Sequence, residues 1–407
     1  MTKDPHLAVH PVPQSGDSHR ISYTDQPSKL AKIILTNALL MIPTLGFYRF
    51  WAKTKVRRHF WSSIKLDGDA LEYTGTGKEL LIGFLIAATV FIPIIVVIQI
   101  LQYLAVTDPD QYGLIAAVVN FSFIILLVFL VYFAFFTARR YRMSRTLWRG
   151  IRGGLDGSGF VYALRCVWAL FLTSITAGIA GPYAEMPALR YIIKNSRFGT
   201  QRFDAPSLSG GPLMKRWLVY LFCLFVFFGA LIIYAVMSGM TFQPAEETKP
   251  PVFLGVFFLI GLPGFIVLNL WYGIYRIRYI TSQIIYGPVR FASGITTGSV
   301  LWIGFIYLLA FIGMLLAVVL AVSVLASIFS HPSGGSPIVG AIIIAGAILA
   351  FIGISIIVPL LLIRPLLKRF IETMVMVGKI DFSHIGQAAR GPGRGEGLAD
   401  ILDVGGF

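Results

Sequence analysis

Few residue combinations in this 407-residue chain could perform covalent chemistry. "GTGKE" (75–79) hints at a phosphate loop, in which backbone amides cradle phosphate oxygens. The full pattern needs Gly at its first position and Ser or Thr at its last, and Glu72 and Glu79 stand there instead. A helix start with Gly-rich turn chemistry is the better reading. The six His are scattered, and both cysteines, Cys166 and Cys223, lie in apolar stretches as inert thiols. That spacing offers no metal set, no disulfide framework and no nucleophile paired with a base. No catalytic residue, metal or cofactor is assigned, and the chain is not expected to be an enzyme.

The arginines carry the strongest pattern. Four segments align without a gap: "RHFWSSIKLDGDAL" (58–71), "RYIIKNSRFGTQRF" (190–203), "RYITSQIIYGPVRF" (278–291) and "RFIETMVMVGKIDF" (369–382). Each opens with Arg58, Arg190, Arg278 or Arg369, then His59 or another ring. Nine positions on stands Asp67, Gly199, Gly287 or Gly378, and four further on Leu71, Phe203, Phe291 or Phe382. A weaker fifth copy runs over 144–160, "SRTLWRGIRGGLDGSGF". Gly suits a tight turn with positive φ, and the residue four beyond it suits a buried strand position. Each copy therefore predicts a helix leaving a membrane, a tight turn and a short strand. The hairpins are expected on the cytoplasmic side, assembled into a small sheet beneath a helical bundle. Arg57 and the four repeat arginines are candidate contacts for an anion or a lipid headgroup, against the plainer reading of topology and anchoring.

The elements that hold these arginines are membrane-grade. The chain is 56% hydrophobic with a mean hydropathy of +0.77, above ordinary soluble composition. Six spans stand out, 80–106, 114–137, 217–240, 252–275, 299–329 and 338–363, each long enough to cross a hydrocarbon core. They form three hairpins whose tight connections, 104–113, 241–251 and 330–337, hold Lys249 as their single Lys or Arg. The basic blocks 49–73, 139–160, 190–204, 276–292 and 364–383 adjoin the other ends, so those ends and the C-terminus read as cytoplasmic, with the N-terminus beside them. The formal charge of +15 is then a membrane signal and no sign of nucleic acid. Anionic headgroups are the expected partners.

Two shorter apolar stretches, 31–47 and 160–182, decide the topology. A full crossing by 160–182 would put later basic blocks on the opposite side from earlier ones, so it reads as re-entrant or interfacial. "TNALLMIPTLGFYRFWAKTKVRRHFW" (36–61) breaks at "PTLG" and resumes as a ring- and Arg-rich surface helix. The rival reading is a short true span with the N-terminus outside. Arg165, near the start of the second stretch, reads as snorkelling, with an anion contact as its alternative. The six spans hold no Asp or Glu, which leaves proton-coupled transport without an obvious carrier. Gln102, Asn120 and Asn269 read as helix–helix glue. Residues 1–20 read as a disordered tail, 21–385 as one membrane domain with internal repeats, and 386–407 as a flexible tail.

The run at 36–61, followed by "DGDALEYTGTGKELLIGF" (67–84), resembles the YjgN-type family of bacterial inner-membrane proteins. "SRTLWRGIRGGLDGS" (144–158) and "RYIIKNSRFGTQRF" are similar to later parts of the same domain. The resemblance covers roughly residues 20–385. It implies a polytopic protein of the bacterial cytoplasmic membrane and no assigned activity. "GIAGPYAEMPALR" (178–190) departs from the family's basic run, which implies a lost surface contact in that copy. The expected fold class is an all-α polytopic membrane protein with short β-hairpins. Its expected function is transport or handling of a small solute or anionic lipid, with a non-catalytic membrane scaffold as the alternative.

Overall fold

The computed structural model describes residues 18–19, 21–237, 261–329, 337–378 and 385–387. It is mostly helical, and five helices are long and apolar enough to cross a membrane: Gly77–Thr107, Pro109–Ser144, Gly211–Ile233, Thr297–Phe329 and Ile338–Glu372. The expected span 252–275 begins outside the described residues, and its described part belongs to a helix, Leu262–Gln283. Phe382 and most of both terminal tails also lie outside them. Ser18 and His19, expected in the N-terminal tail, instead form a strand.

The chain builds one unit five times: a helix, a tight hairpin and a departing helix. The first unit is α1 (Pro27–Met41), α2 (Arg49–Ser63), β3 (Ile64–Leu66), β4 (Asp69–Ala70), β5 (Glu72–Tyr73) and α3 (Gly77–Thr107). The second is α4 (Pro109–Ser144), β6 (Thr146–Trp148), β7 (Ile151–Leu155) and α5 (Gly159–Ile175). The third is α6 (Gly181–Ala184), α7 (Met186–Asn195), β8 (Ser196–Phe198), β9 (Gln201–Asp204) and α8 (Gly211–Met237). The fourth is α9 (Leu262–Gln283), β10 (Ile285–Tyr286), β11 (Val289–Ser293) and α10 (Thr297–Phe329). The last is α11 (Pro337–Ile357), a π-helical turn Val358–Ile363 containing Pro359, α12 (Arg364–Glu372) and β12 (Met374–Val377).

Local chemistry explains the boundaries. Thr76 and Glu79 form a reciprocal capping box at the start of α3, so "GTGKE" is a helix cap. Asp108 accepts from the Gln111 amide at 3.1 Å and Pro109 opens α4, which turns the chain between two long helices within a residue. The break at "PTLG" is real: Leu45 and Gly46 take φ of 48° and 84°. The Gly46 amide reaches back to the Met41 carbonyl at 2.8 Å, closing α1. The same turn recurs after α5, where Ala177 and Gly178 take 49° and 89° and the Gly178 amide reaches the Thr173 carbonyl at 2.7 Å. Thr44 and Thr176 lock the two turns alike, each accepting from the amide four residues on.

The hairpins do not form a flat sheet. β1 (Ser18–His19) pairs with β12, and β2 (Ile21–Tyr23), one residue later, pairs with β3. β4 pairs with β3, and β5, one residue later, pairs with β6. From β6 each strand pairs antiparallel with the next through to β12. Taking 18–23 and 69–73 as single staves, the strands close a circuit with no free edge, and the N-terminal strand is the stave between the first and last units. Closure removes the aggregation-prone edges that short strands would otherwise expose. Along β11, Val289, Phe291 and Ser293 are more buried than Arg290 and Ala292, the alternation a barrel wall requires.

The helices pack in sequence neighbours: α3 against α4, α4 against α5, α8 against α9 and α10 against α11. Gln102 donates to Asn120 at 3.0 Å across α3 and α4, and Tyr220 donates to Asn269 at 2.9 Å across α8 and α9. These are the interhelical bonds expected of polar groups in apolar spans. A separate core of Tyr23, Leu30, Ile34, Phe60 and Ile371 joins both ends of the chain. Phe60 has no exposed surface, and burial of such a ring contributes about 1.5–3 kcal/mol.

Candidate functional site

All four turn positions read from the sequence adopt positive φ: Asp67 at 50°, Gly199 at 59°, Gly287 at 56° and Gly378 at 128°. In the second unit Arg149 takes the same place at 49°. Counting back nine residues puts Arg140, followed by Tyr141, in register with Arg58. The sequence window began that copy at Ser144 and missed it; an Arg–aromatic pair nine residues before "RG" is the signal that finds it.

The repeat arginines fasten backbone. Arg58 donates to the Gly75 carbonyl at 3.0 Å, just ahead of α3. Arg140 donates to the Leu155 carbonyl at 2.9 Å and to Gly157, just ahead of α5. Arg190 donates to Leu208, ahead of α8. Each guanidinium thus ties the end of one helix to the loop that launches the next. Arg58, Arg190 and Arg369 are nonetheless exposed. Arg278 lines a shallow cleft with Arg216 and Thr296. Arg57 differs: it has no exposed surface, and its guanidinium donates to the Tyr73 hydroxyl at 3.1 Å.

The strand positions converge. Leu71, Phe203 and Phe291 line one apolar cavity of ≈ 280 Å³ inside the strand circuit, together with Leu66, Trp148, Phe198, Tyr286 and Met376.

A second cavity, ≈ 350 Å³, lies among the helices. Tyr132 of α4, Tyr162 and Thr173 of α5, and Tyr272 of α9 face it. At its edge Glu185, between α6 and α7, accepts from Arg276 of α9 in two-pronged fashion, Nε–Oε1 2.8 Å and Nη2–Oε2 2.6 Å. About a third of each side chain is exposed, 31% for Arg276 and 30% for Glu185, so the pair is reachable from the cavity. Trp217 of α8 donates to the Gly178 carbonyl at 2.8 Å and stacks on Tyr220. That bond holds the positive-φ turn beside the cavity. Arg165 lies over the Tyr191 ring at 4.5 Å and donates to Pro187 at 3.3 Å, so it staples α5 to α7.

Two other charged groups settle into structure. Glu79 caps α3 and also accepts from Tyr141 and from Arg145, each at 2.7 Å. His59 is 7% exposed, and its Nε2 has no hydrogen-bond partner. Burial lowers its pKa, with Lys29 and Arg364 pushing the same way and Asp25 opposing. Among the described residues no group of three or more His, Cys, Asp or Glu could hold a metal ion.

A helical bundle of membrane-spanning length standing on a closed ring of hairpins defines the class: a polytopic membrane protein with repeated helix–hairpin units. The chain belongs to the family described as bacterial protein of unknown function (DUF898), which matches residues 18–401. It is similar to the inner membrane protein YjgN of Salmonella typhimurium, 32% identical over 108 residues. That stretch is 26% of this chain and 26% of the relative, so the likeness spans about a quarter of either. The family assignment agrees with the resemblance read from residues 36–84. No solved structure matches.

Proposed function

We propose that this is a multi-pass protein of the bacterial inner membrane that takes a small polar solute or an anionic lipid headgroup into the cavity beside Glu185 and Arg276. The observation that carries the reading is that two-pronged pair at the edge of a tyrosine-lined cavity among apolar helices. Ionisable residues at such depth are costly and mark ligand paths by default. A pair that is held together but reachable can exchange one partner for a ligand: an anion would take the Arg276 fork, which suits carboxylate or phosphate.

In the same reading the chain has six spans in three hairpins, the sixth completed by residues ahead of α9. The stretches 31–47 and 160–182 enter and return, which their broken helices favour. The helix–hairpin units are copies of one ancestral element, as the shared turn geometry and arginine register suggest. The basic ring then faces the cytoplasm, where Arg58, Arg190, Arg278 and Arg369 meet anionic headgroups. Arg57, being buried, is not part of that set.

Native mass spectrometry of the protein released gently from its own membrane tests this. A lipid or metabolite retained in stoichiometric amount, and lost in Arg276→Gln, supports it. Retention of a second protein with no small molecule favours a non-catalytic scaffold. A ligand equally retained in Arg276→Gln removes this site from consideration.

A further inference from the structure

The cavity inside the strand circuit has a chemistry of its own. Its wall is a run of touching rings: Trp148 and Phe198 have centroids 6.0 Å apart, Phe198 and Tyr286 6.5 Å, Phe203 and Tyr286 4.8 Å, and Phe203 and Phe291 6.2 Å. Leu66, Leu71, Met143 and Met376 complete it. An ordinary core would fill such a space.

Here the filling fails for a local reason. The position four beyond each turn carries Leu71, Phe203 and Phe291 in three units and Gly153 in the second. A Cβ on Gly153 would meet the Met143 carbonyl oxygen at 2.9 Å, because the end of α4 runs against β7. That unit cannot supply its inward side chain. A barrel of about eight strands is already wide enough to be filled by side chains alone, and the circuit here has ten staves, counting 18–23 and 69–73 as one each. One missing side chain in a wider barrel leaves ≈ 280 Å³ unfilled.

The polar groups on the wall are already engaged. Arg197 donates through Nε to Asp156 at 3.1 Å and through Nη1 to the Gly199 carbonyl at 3.1 Å. Tyr286 donates to the Phe198 carbonyl at 3.0 Å, and burial pushes its hydroxyl pKa up to about 12, so it stays neutral. An incoming anion would find no free charge to offset its desolvation. Aromatic walls instead favour ring faces and edges at offset contact.

We propose that the barrel interior is a binding site for one small, uncharged, flat molecule of aromatic or conjugated character. It is separate from the bundle cavity and needs neither Glu185 nor Arg276.

The test is photolabelling of the full chain in its own membrane vesicles with 3-trifluoromethyl-3-phenyldiazirine, a neutral aromatic probe. Label is expected on β9 and β11, at the peptides carrying Phe203 and Phe291, as well as on lipid-facing helices. Leu71→Trp, which fills the cavity, is expected to cut the strand label about ten-fold, a loss of about 1.4 kcal/mol, while label on α3 and α10 is unchanged. If Leu71→Trp does not accumulate, Leu66→Phe replaces it with the same expectation. The carboxylate analogue of the probe is expected to label the strands about ten-fold less than the neutral one. Absence of strand label, equal label in the filled variant, or equal label by the charged analogue would each overturn the proposal.

Discussion

Asp25 and Arg364 join the two ends of the chain: Arg364 Nε lies 2.6 Å and Nη2 3.1 Å from the Asp25 carboxylate oxygens. The Asp25 side chain is 4% exposed and that of Arg364 24%. The pair sits where the N-terminal stave, α2 and the last helix share one apolar core. It therefore works with the strand pairing of β1 and β2 to close the ring.

Removing one partner strands a charge. Asp25→Asn is expected to cost about 3 kcal/mol, the lower end for breaking a buried pair, since Arg364 keeps some water. Thermal unfolding in detergent checks this. The double variant Asp25→Asn with Arg364→Gln is expected to lose less than the sum of the singles, which is the sign of direct coupling.

Stability should fall in mild acid through His59. Its folded pKa is lowered by burial, so the unfolded chain takes up the proton first. The contribution is fully present above the unfolded value of 6.5 and is lost as pH falls below it. Other units carry Tyr141, Tyr191, Tyr279 or Phe370 at this position. His59→Phe is expected to flatten the pH dependence of the unfolding temperature between pH 7 and about pH 5, the range in which a His titrates.

The turns make a paired prediction. Gly199→Ala is expected to destabilise by more than about 1 kcal/mol, because φ is +59° and a Cβ would meet the Gly386 oxygen at 2.6 Å. Asp67→Gly, at φ 50° in open space beside Gly68, is expected to be neutral or slightly stabilising. Melting curves of both variants decide it; equal losses would mean that the hairpins do not share one turn geometry.

Arg140 separates clamp from anchor. Arg140→Gln removes two carbonyl contacts from a partly buried guanidinium and is expected to cost about 1.5–3 kcal/mol, as for hydrogen bonds to a charged group. Limited proteolysis between β7 and α5 should accelerate while membrane insertion is unaffected. Unchanged proteolysis would mean that the guanidinium does not hold that loop.

The turn positions were legible because only small or turn-prone residues tolerate positive φ, so Asp67, Gly199, Gly287 and Gly378 mark the hairpins in any alignment of the copies. Leu71, Phe203 and Phe291 were legible as buried strand positions by their spacing. The broken helices at Leu45–Gly46 and within 160–182 followed from Pro and Gly. The pairs Asp25–Arg364 and Glu185–Arg276 were not legible, since nothing local says which distant charge a carboxylate meets. The arginine clamps were hidden for the same reason: their partners are backbone carbonyls, which every sequence offers. Ring closure was missed because β1 and β2 are short and lie in a stretch whose polarity reads as a tail.

Closure of the hairpin ring is tested most directly by disulfide trapping in a Cys166→Ser, Cys223→Ser background. His19→Cys with Met376→Cys joins the N-terminal stave to the last unit, and Ser22→Cys with Lys65→Cys joins it to the first. Both pairs are expected to cross-link within one chain in native membranes. Cross-linking of only one pair, or of both only between chains, would show that the ring is open in the membrane.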